Sequence, residues 1–109
     1  MLQVGPFEMT DTEESFWEIV KNFGYLVSEF HYEGGRLDIG HGRNECVSVS
    51  YFNRRTRKRI TITENYDGSI NKKFHLSGLL GRTRIDETGN GNSWKEFALH
   101  VKQYYSGIL

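Results

Sequence analysis

The stretch that most constrains the fold is residues 46–63, CVSVSYFNRRTRKRITIT, in which apolar and polar residues alternate on either side of a basic segment. A period of two places alternate side chains on opposite faces of a β-sheet. One face is therefore predicted to be polar, and the other to be apolar and to meet the core. The predicted core-facing residues of this hairpin are Val47, Val49, Tyr51, Ile60 and Ile62.

This alternation also favours antiparallel pairing, because parallel strands are usually apolar on both faces. The chain must reverse near residues 53–56, Asn-Arg-Arg-Thr. Asn suits turn geometry, but the segment has no Gly, so we expect a loop of about three to five residues rather than a two-residue turn.

Two amphipathic helices are predicted on either side of the strands. Apolar residues recur at helical spacing from Phe16 to Phe23, which predicts a helix over about Thr12 to Phe23. A second apolar stripe predicts a helix from Trp94 to about Ser106. Ser93 is its predicted N-cap, with Glu96 three residues later in the capping-box pattern.

Further strands are predicted at about Tyr25–Tyr32, Arg36–His41 and Ser69–Leu76. Turns are predicted at Glu33–Arg36, which holds two glycines, and at Tyr66–Ser69, which holds an Asp-Gly pair. Four glycines between residues 77 and 92 favour a loop. A sixth strand that includes Leu79–Leu80 and Ile85 is the alternative interpretation of this segment. Residues 86–92 are expected to be mobile. The predicted fold class is α+β: one domain over residues 1–109, with a single antiparallel, meander-like sheet of about five strands flanked by an N-terminal and a C-terminal helix.

Composition points to the reducing cytoplasm. The chain has one cysteine and therefore no internal disulfide. No apolar run approaches the roughly 20 residues that a membrane-spanning helix needs. We expect a cytoplasmic protein without a membrane partner.

The formal net charge of zero hides a strong separation of charge along the chain. Residues 1–45 hold nine acidic and three basic residues, whereas residues 46–85 hold two acidic and nine basic ones. Such separation can steer a charged partner to one face. The residues predicted to contact a partner are the acids Glu13, Glu14, Glu18, Glu29 and Glu33 and the arginines Arg54, Arg55 and Arg57.

A nucleic-acid role is the alternative interpretation of the basic segment. Arginine matches phosphate as well as carboxylate. The aromatic residues Tyr51, Phe52 and Tyr66 flank the segment and would add base stacking.

Catalysis is the third hypothesis, and it has the least support. The four histidines, His31, His41, His75 and His100, are scattered and do not lie at zinc-site spacing. An enzyme would have to use one or two of them as acid–base groups. We therefore expect a protein that is not an enzyme and has no catalytic residue, metal site or cofactor.

The whole pattern resembles the small immunity proteins encoded beside bacterial polymorphic and contact-dependent growth-inhibition toxins. The resemblance rests on the first helix, TDTEESFWEIVKNFG, the strands YLVSEFHYEGG and VSVSYFNRRTRKRITIT, and the closing helix SWKEFALHVKQYY. It implies a cytoplasmic, non-catalytic inhibitor that neutralises a toxin domain by covering its active site. It covers the full chain without a specific motif, so no residue role is transferred from the family.

Overall fold

The computed structural model describes residues 3–4, 7–8, 11–28, 30–38, 46–66 and 70–109. In these ranges the chain forms an α+β fold in which an antiparallel sheet is accompanied by two helices, and the predicted fold class is confirmed. The strands are β1 (Gln3–Val4), β2 (Phe7–Glu8), β3 (His31–Asp38), β4 (Cys46–Asn53), β5 (Lys58–Tyr66), β6 (Ile70–Ser77) and β7 (Thr83–Thr88). The helices are α1 (Asp11–Asn22) and α2 (Trp94–Tyr105), with 3₁₀ turns at Gly24–Ser28 and Leu79–Gly81.

The main sheet is a meander in which β3, β4, β5, β6 and β7 hydrogen-bond in chain order, each antiparallel to the next. β1 and β2 form a separate two-stranded pair. The predicted alternation in the hairpin is confirmed, because successive residues of β4 alternate between partly exposed and buried. The buried apolar side chains of the hairpin are Val47, Val49, Tyr51, Ile60 and Ile62.

Both helices cover this apolar face of the sheet. Ile19 of α1 and Phe23, which directly follows α1, are fully buried, and α2 contributes Phe97 and Val101. Aromatic rings fill the space between the layers, as the high aromatic content requires. Phe23 is at their centre, and its ring centroid lies between 5.9 and 6.2 Å from those of Phe74, Trp94, Phe97 and Tyr25.

The N-cap of α2 is confirmed. The backbone N–H of Glu96 donates to Ser93 Oγ at 3.2 Å, and Ser93 Oγ lies 3.3 Å from Glu96 Oε1. The buried residues of α2 belong to the predicted apolar stripe, and they are Trp94, Phe97, Ala98 and Val101.

The strand predicted over Tyr25–Tyr32 is wrong in its first half, because Gly24–Ser28 is a 3₁₀ turn. Leu26 and Phe30 share a face in either conformation, but the chain buries them by helical winding after Phe23. The backbone N–H of Leu26 donates to Phe23 O at 3.1 Å, and that of Phe30 donates to Leu26 O at 2.7 Å.

The turn predicted at Glu33–Arg36 is also wrong, since β3 runs through it. Pairing with β4 supplies the hydrogen bonds that outweigh the low strand preference of two glycines. The pairing register of β3 with β4 shifts between Tyr32 and Gly34, so that Glu33 is an extra residue without a partner on β4. The end of the strand predicted to reach His41, and the turn residues 67–69, lie outside the described residues.

The sixth strand that the sequence left open at Ile85 forms as β7, which extends to Thr88 and so includes the first three of the residues 86–92 that were expected to be mobile. Asn90 also ties the segment to the start of β6. Its Oδ1 accepts from the backbone N–H of Lys72 at 2.7 Å, and its Nδ2 donates to Asn71 Oδ1 at 3.1 Å.

Candidate functional site: a basic end of the sheet

The loop between β4 and β5 is organised by Asn53, which is buried. Asn53 Oδ1 accepts from the backbone N–H of Arg55 at 3.0 Å and of Thr56 at 3.2 Å, and its carbonyl accepts from Arg57 N at 2.8 Å. Arg57 closes the loop in the left-handed region, with φ of 61°. The side chains of Arg54, Arg55 and Arg57 are exposed on this loop.

The loop between β6 and β7 lies beside this hairpin tip. Arg59 at the start of β5 pairs with Ser77 at the end of β6, and Ser77 pairs with Thr83 at the start of β7. The antiparallel meander thus brings residues 54–57 and 78–82 to the same end of the sheet.

Two exposed leucines form the tip of that second loop. Leu79 is 63% exposed and Leu80 is 97% exposed. Leu80 also adopts φ of 64°, a left-handed conformation that is costly for a branched apolar residue. A fully exposed leucine on a strained backbone gains nothing from the fold, which makes this tip a candidate contact with another molecule.

Cations surround the leucine tip. Segments 52–59 and 77–84 together hold seven basic residues and no acidic one. Hereafter the basic end denotes these seven cations and the two leucines: Arg54, Arg55, Arg57, Lys58, Arg59, Arg82, Arg84, Leu79 and Leu80.

Two cations of the basic end are held in place by neighbouring groups. The Arg59 guanidinium lies 5.0 Å from the centroid of the Phe52 ring. Lys58 Nζ donates to the carbonyl of Ile108, beyond the end of α2. The surface is thus partly preorganised, which lowers the entropy cost of binding.

The structure contradicts the predicted stacking role for Tyr51, whereas the role of Phe52, which is partly exposed, stays a prediction. Tyr51 is only 1% exposed and belongs to the core. One face of Phe52 is covered by Arg59. The side chain of Tyr66 lies outside the described residues.

The acidic residues predicted as contacts lie far from the basic end. Glu13, Glu14 and Glu18 occupy α1, where they are half-buried rather than exposed as expected. Their neighbour Ser15 donates to the carboxylate of Glu64 on β5. Glu64 is six residues, or about 20 Å along the strand, from Lys58, so Ser15 lies over the opposite end of β5 from the basic end. The structure therefore does not merge the two predicted patches, and the side chains of Glu29 and Glu33 lie outside the described residues.

Glu64 belongs to an interior polar cluster rather than to the surface. It is 3% exposed, and its Oε2 lies 3.4 Å from Lys72 Nζ. The same ammonium group lies 5.6 Å from the centroid of the Trp94 ring. This pairing lets the carboxylate be buried beneath α1 and α2.

Two histidines lie near carboxylates, but on opposite faces of β7. His75 Nδ1 is 3.9 Å from Asp86 Oδ1 on the outer face. His100 Nε2 is 3.7 Å from Glu87 Oε2 on the inner face, where Tyr105 also donates to Glu87. That hydrogen bond raises the pKa of Tyr105. Adjacent residues of a strand point to opposite faces, so these two histidines do not form one acid–base centre.

Among the described residues, no cluster of three or more His, Cys, Asp or Glu side chains is placed to hold a metal ion. Neither helix within those ranges is long and apolar enough to cross a bilayer. Comparisons with protein-family models, curated proteins and solved structures find no significant match to this chain. The resemblance to immunity proteins therefore stays a prediction.

Sequence reasoning identified the arginines of the hairpin but missed the leucine tip. The available signal was a Leu-Leu pair bracketed by Gly78 and Gly81, in a segment where turn residues favour an exposed loop. Apolar residues bracketed in this way by turn formers are candidates for a contact surface.

Proposed function

We propose that this protein is a non-catalytic protein-binding module, an immunity-type inhibitor that neutralises a toxin domain in the cytoplasm by covering its active site. The observation that supports this proposal is the basic end, where seven cations surround two exposed leucines. The partner surface would be acidic and would offer an apolar pocket to Leu80.

Charge and shape have separate roles in this proposal. Arginine is enriched at protein interfaces, and opposite charges chiefly raise the association rate and the specificity. Burying the exposed surface of Leu79 and Leu80 supplies the apolar contact that slows dissociation. Together they favour an acidic protein over a purely electrostatic ligand.

The acids of α1 are proposed as a second contact region. A standard interface of about 800 Å² per partner is roughly 28 Å across. One partner is therefore large enough to contact the basic end and also approach Glu13, Glu14 and Glu18 on α1. Glu29 and Glu33 remain in the proposed set on the basis of the sequence alone.

Site-specific photocrosslinking tests the proposal. A benzophenone side chain at position 80, introduced in the source cells, should crosslink one acidic protein. The control carries the same group at position 104, since Tyr104 is 65% exposed on α2 and lies outside the basic end. The purified partner should then lose its toxic activity when one equivalent of this protein is added. Equal crosslinking from both positions, or full activity in the presence of this protein, would contradict the proposal.

Charge reversal at Arg54, Arg55 and Arg57 tests the contribution of these arginines separately from that of the α1 acids. The triple glutamate variant should slow association with the crosslinked partner by at least about tenfold at low salt. Reversal of Glu13, Glu14 and Glu18 in a second variant tests the α1 acids independently. Unchanged association rates in both variants would exclude this assignment of contacts.

The nucleic-acid alternative is favoured by the same seven cations. It requires affinity for a short single-stranded DNA that falls steeply between 50 and 200 mM salt, by about 10³-fold or more for six contacts. Fluorescence anisotropy with wild type and with Arg54, Arg55 and Arg57 replaced by alanine tests it. Binding that shows this salt dependence and is lost when the three arginines are replaced would favour the nucleic-acid alternative over the inhibitor proposal.

A further inference from the structure

A second cationic feature lies away from the basic end, in a cleft between the end of α1 and the exposed side of α2. The cleft has a volume of about 260 Å³ and opens to solvent. Its lining includes one aromatic ring, two smaller apolar side chains and three lysines: Tyr25, Ala98, Leu99, Lys21, Lys95 and Lys102.

The three ammonium groups are unopposed within the cleft. None of the lining residues is acidic, and Lys21, Lys95 and Lys102 form no ion pair with another described residue. The neighbouring carboxylate of Glu18 is already engaged by the Asn22 amide at 3.1 Å. Like charges gathered in a recess raise the local concentration of anions.

Tyr25 orders the floor of the cleft. Its ring centroid lies 5.4 Å from Lys102 Nζ, and its hydroxyl donates to the carbonyl of Ala98 at 3.5 Å. Burial raises the pKa of Tyr25 to about 12. An aromatic face, the exposed side chain of Leu99 and three cations thus converge on one recess.

We propose that this cleft binds a small aromatic carboxylate. The ring of the ligand would pack against Tyr25 and Leu99, and its carboxylate would meet the lysine ammonium groups. The volume lies just below the roughly 300 Å³ at which drug-sized pockets begin, which favours a ligand of one or two rings. This site does not depend on the proposed inhibitor function, because it lies on the helical layer and not at the end of the sheet.

A titration with 2-naphthoate, followed by amide chemical shifts in a ¹H–¹⁵N spectrum of the full chain, tests the proposal. We expect the largest shifts at Tyr25, Ala98 and Leu99, with a Kd of about 1 mM for a ligand of this size. The uncharged 2-naphthamide and inorganic phosphate serve as matched probes, one without the charge and the other without the ring. Each should bind at least about fivefold more weakly.

Variants then assign the binding to the cleft. Lys95→Gln combined with Lys102→Gln should weaken 2-naphthoate at least about fivefold, whereas Lys73→Gln, an exposed lysine of the sheet, should leave the Kd unchanged. If the double variant does not give the spectrum of a folded protein, Lys21→Gln alone replaces it. The proposal is overturned if 2-naphthamide or phosphate binds as tightly as 2-naphthoate, if the shifts lie outside the cleft, or if the lysine variants bind like wild type.

Discussion

Gly89 lies directly against the aromatic core, and its replacement by alanine should destabilise the protein strongly. A Cβ at this position would lie 2.2 Å from Phe97 Cδ2 and 2.5 Å from Phe97 Cε2 and Cγ. Carbon atoms normally approach to about 3.5 Å, so the ring would have to withdraw by more than about 1 Å. It has no room to do so, because Phe97 is 1% exposed and its ring centroid lies 6.0 Å from that of Trp94 and 6.2 Å from that of Phe23.

The backbone of Gly89 is held as firmly as the ring. Its N–H donates to Lys72 O at 2.9 Å, and its carbonyl accepts from Asn92 N at 3.1 Å. Overpacking of a core typically costs 1–3 kcal/mol. Three ring atoms would be too close, and neither the Phe97 ring nor the Gly89 backbone can move freely. We therefore expect Gly89→Ala to lower the free energy of unfolding by about 3 kcal/mol. That loss should lower the melting temperature by roughly 10–20 °C.

Urea unfolding at 25 °C, followed by tryptophan fluorescence, measures this loss. The control is Gly107→Ala, since a Cβ there meets nothing within 4 Å, and it should change the free energy of unfolding by less than about 0.5 kcal/mol. Adding Phe97→Leu to Gly89→Ala frees space, so the double variant should lose less than the sum of the two single losses. Additive losses, or a Gly89→Ala variant as stable as wild type, would refute the steric argument.

Three further variants test separate parts of the structure. Lys72→Met removes the cation paired with the buried Glu64 carboxylate and should lower the free energy of unfolding in urea by about 2 kcal/mol. The control Lys73→Met, on the exposed face, should lower it by less than about 0.5 kcal/mol. Equal losses in the two variants would contradict the importance of the Lys72–Glu64 pair. Leu80→Gly relieves the strain of a backbone φ of 64°, so the free energy of unfolding should stay unchanged or rise by about 1 kcal/mol. Affinity for the crosslinked partner should fall. A marked loss of stability would contradict the claim that the backbone at Leu80 is strained. The folded protein holds the phenol proton of Tyr25 more tightly than the unfolded chain, with a pKa of about 12 against 10.0. The free energy of unfolding should therefore be constant in this respect below pH 10 and fall as the pH rises towards 12, and Tyr25→Phe should flatten that fall in denaturation curves measured across the interval.

Local periodicity was sufficient for the hairpin and for both helices. Val47, Val49 and Ile62 face the core as predicted, and α2 begins after the predicted Ser93 cap. These features depend on which residues share a face and on capping groups three residues apart, and both are local properties of the sequence.

The segment from Gly24 to Arg36 could not be predicted in this way. Leu26 and Phe30 fit both a strand period and a helical period, and contact with Phe23 decided for helical winding. The glycines at 34 and 35 predicted a turn, yet pairing with β4 holds them in a strand. At the glycines the deciding hydrogen bonds come from a separate strand, whereas at Leu26 and Phe30 they come from neighbouring residues in a segment whose pattern fits either period.

The sequence by itself determined the charges and the exposed arginines, but only the tertiary structure decided which groups act together. The meander places Leu80 and its flanking arginines beside Arg54, Arg55 and Arg57, because the register of β5 with β6 brings both loops to one end. The same packing places Ser15 of α1 beside Glu64, at the opposite end of β5. Sheet register is fixed by long-range hydrogen bonds and by burial of one whole face, and neither is encoded in any single segment of the chain.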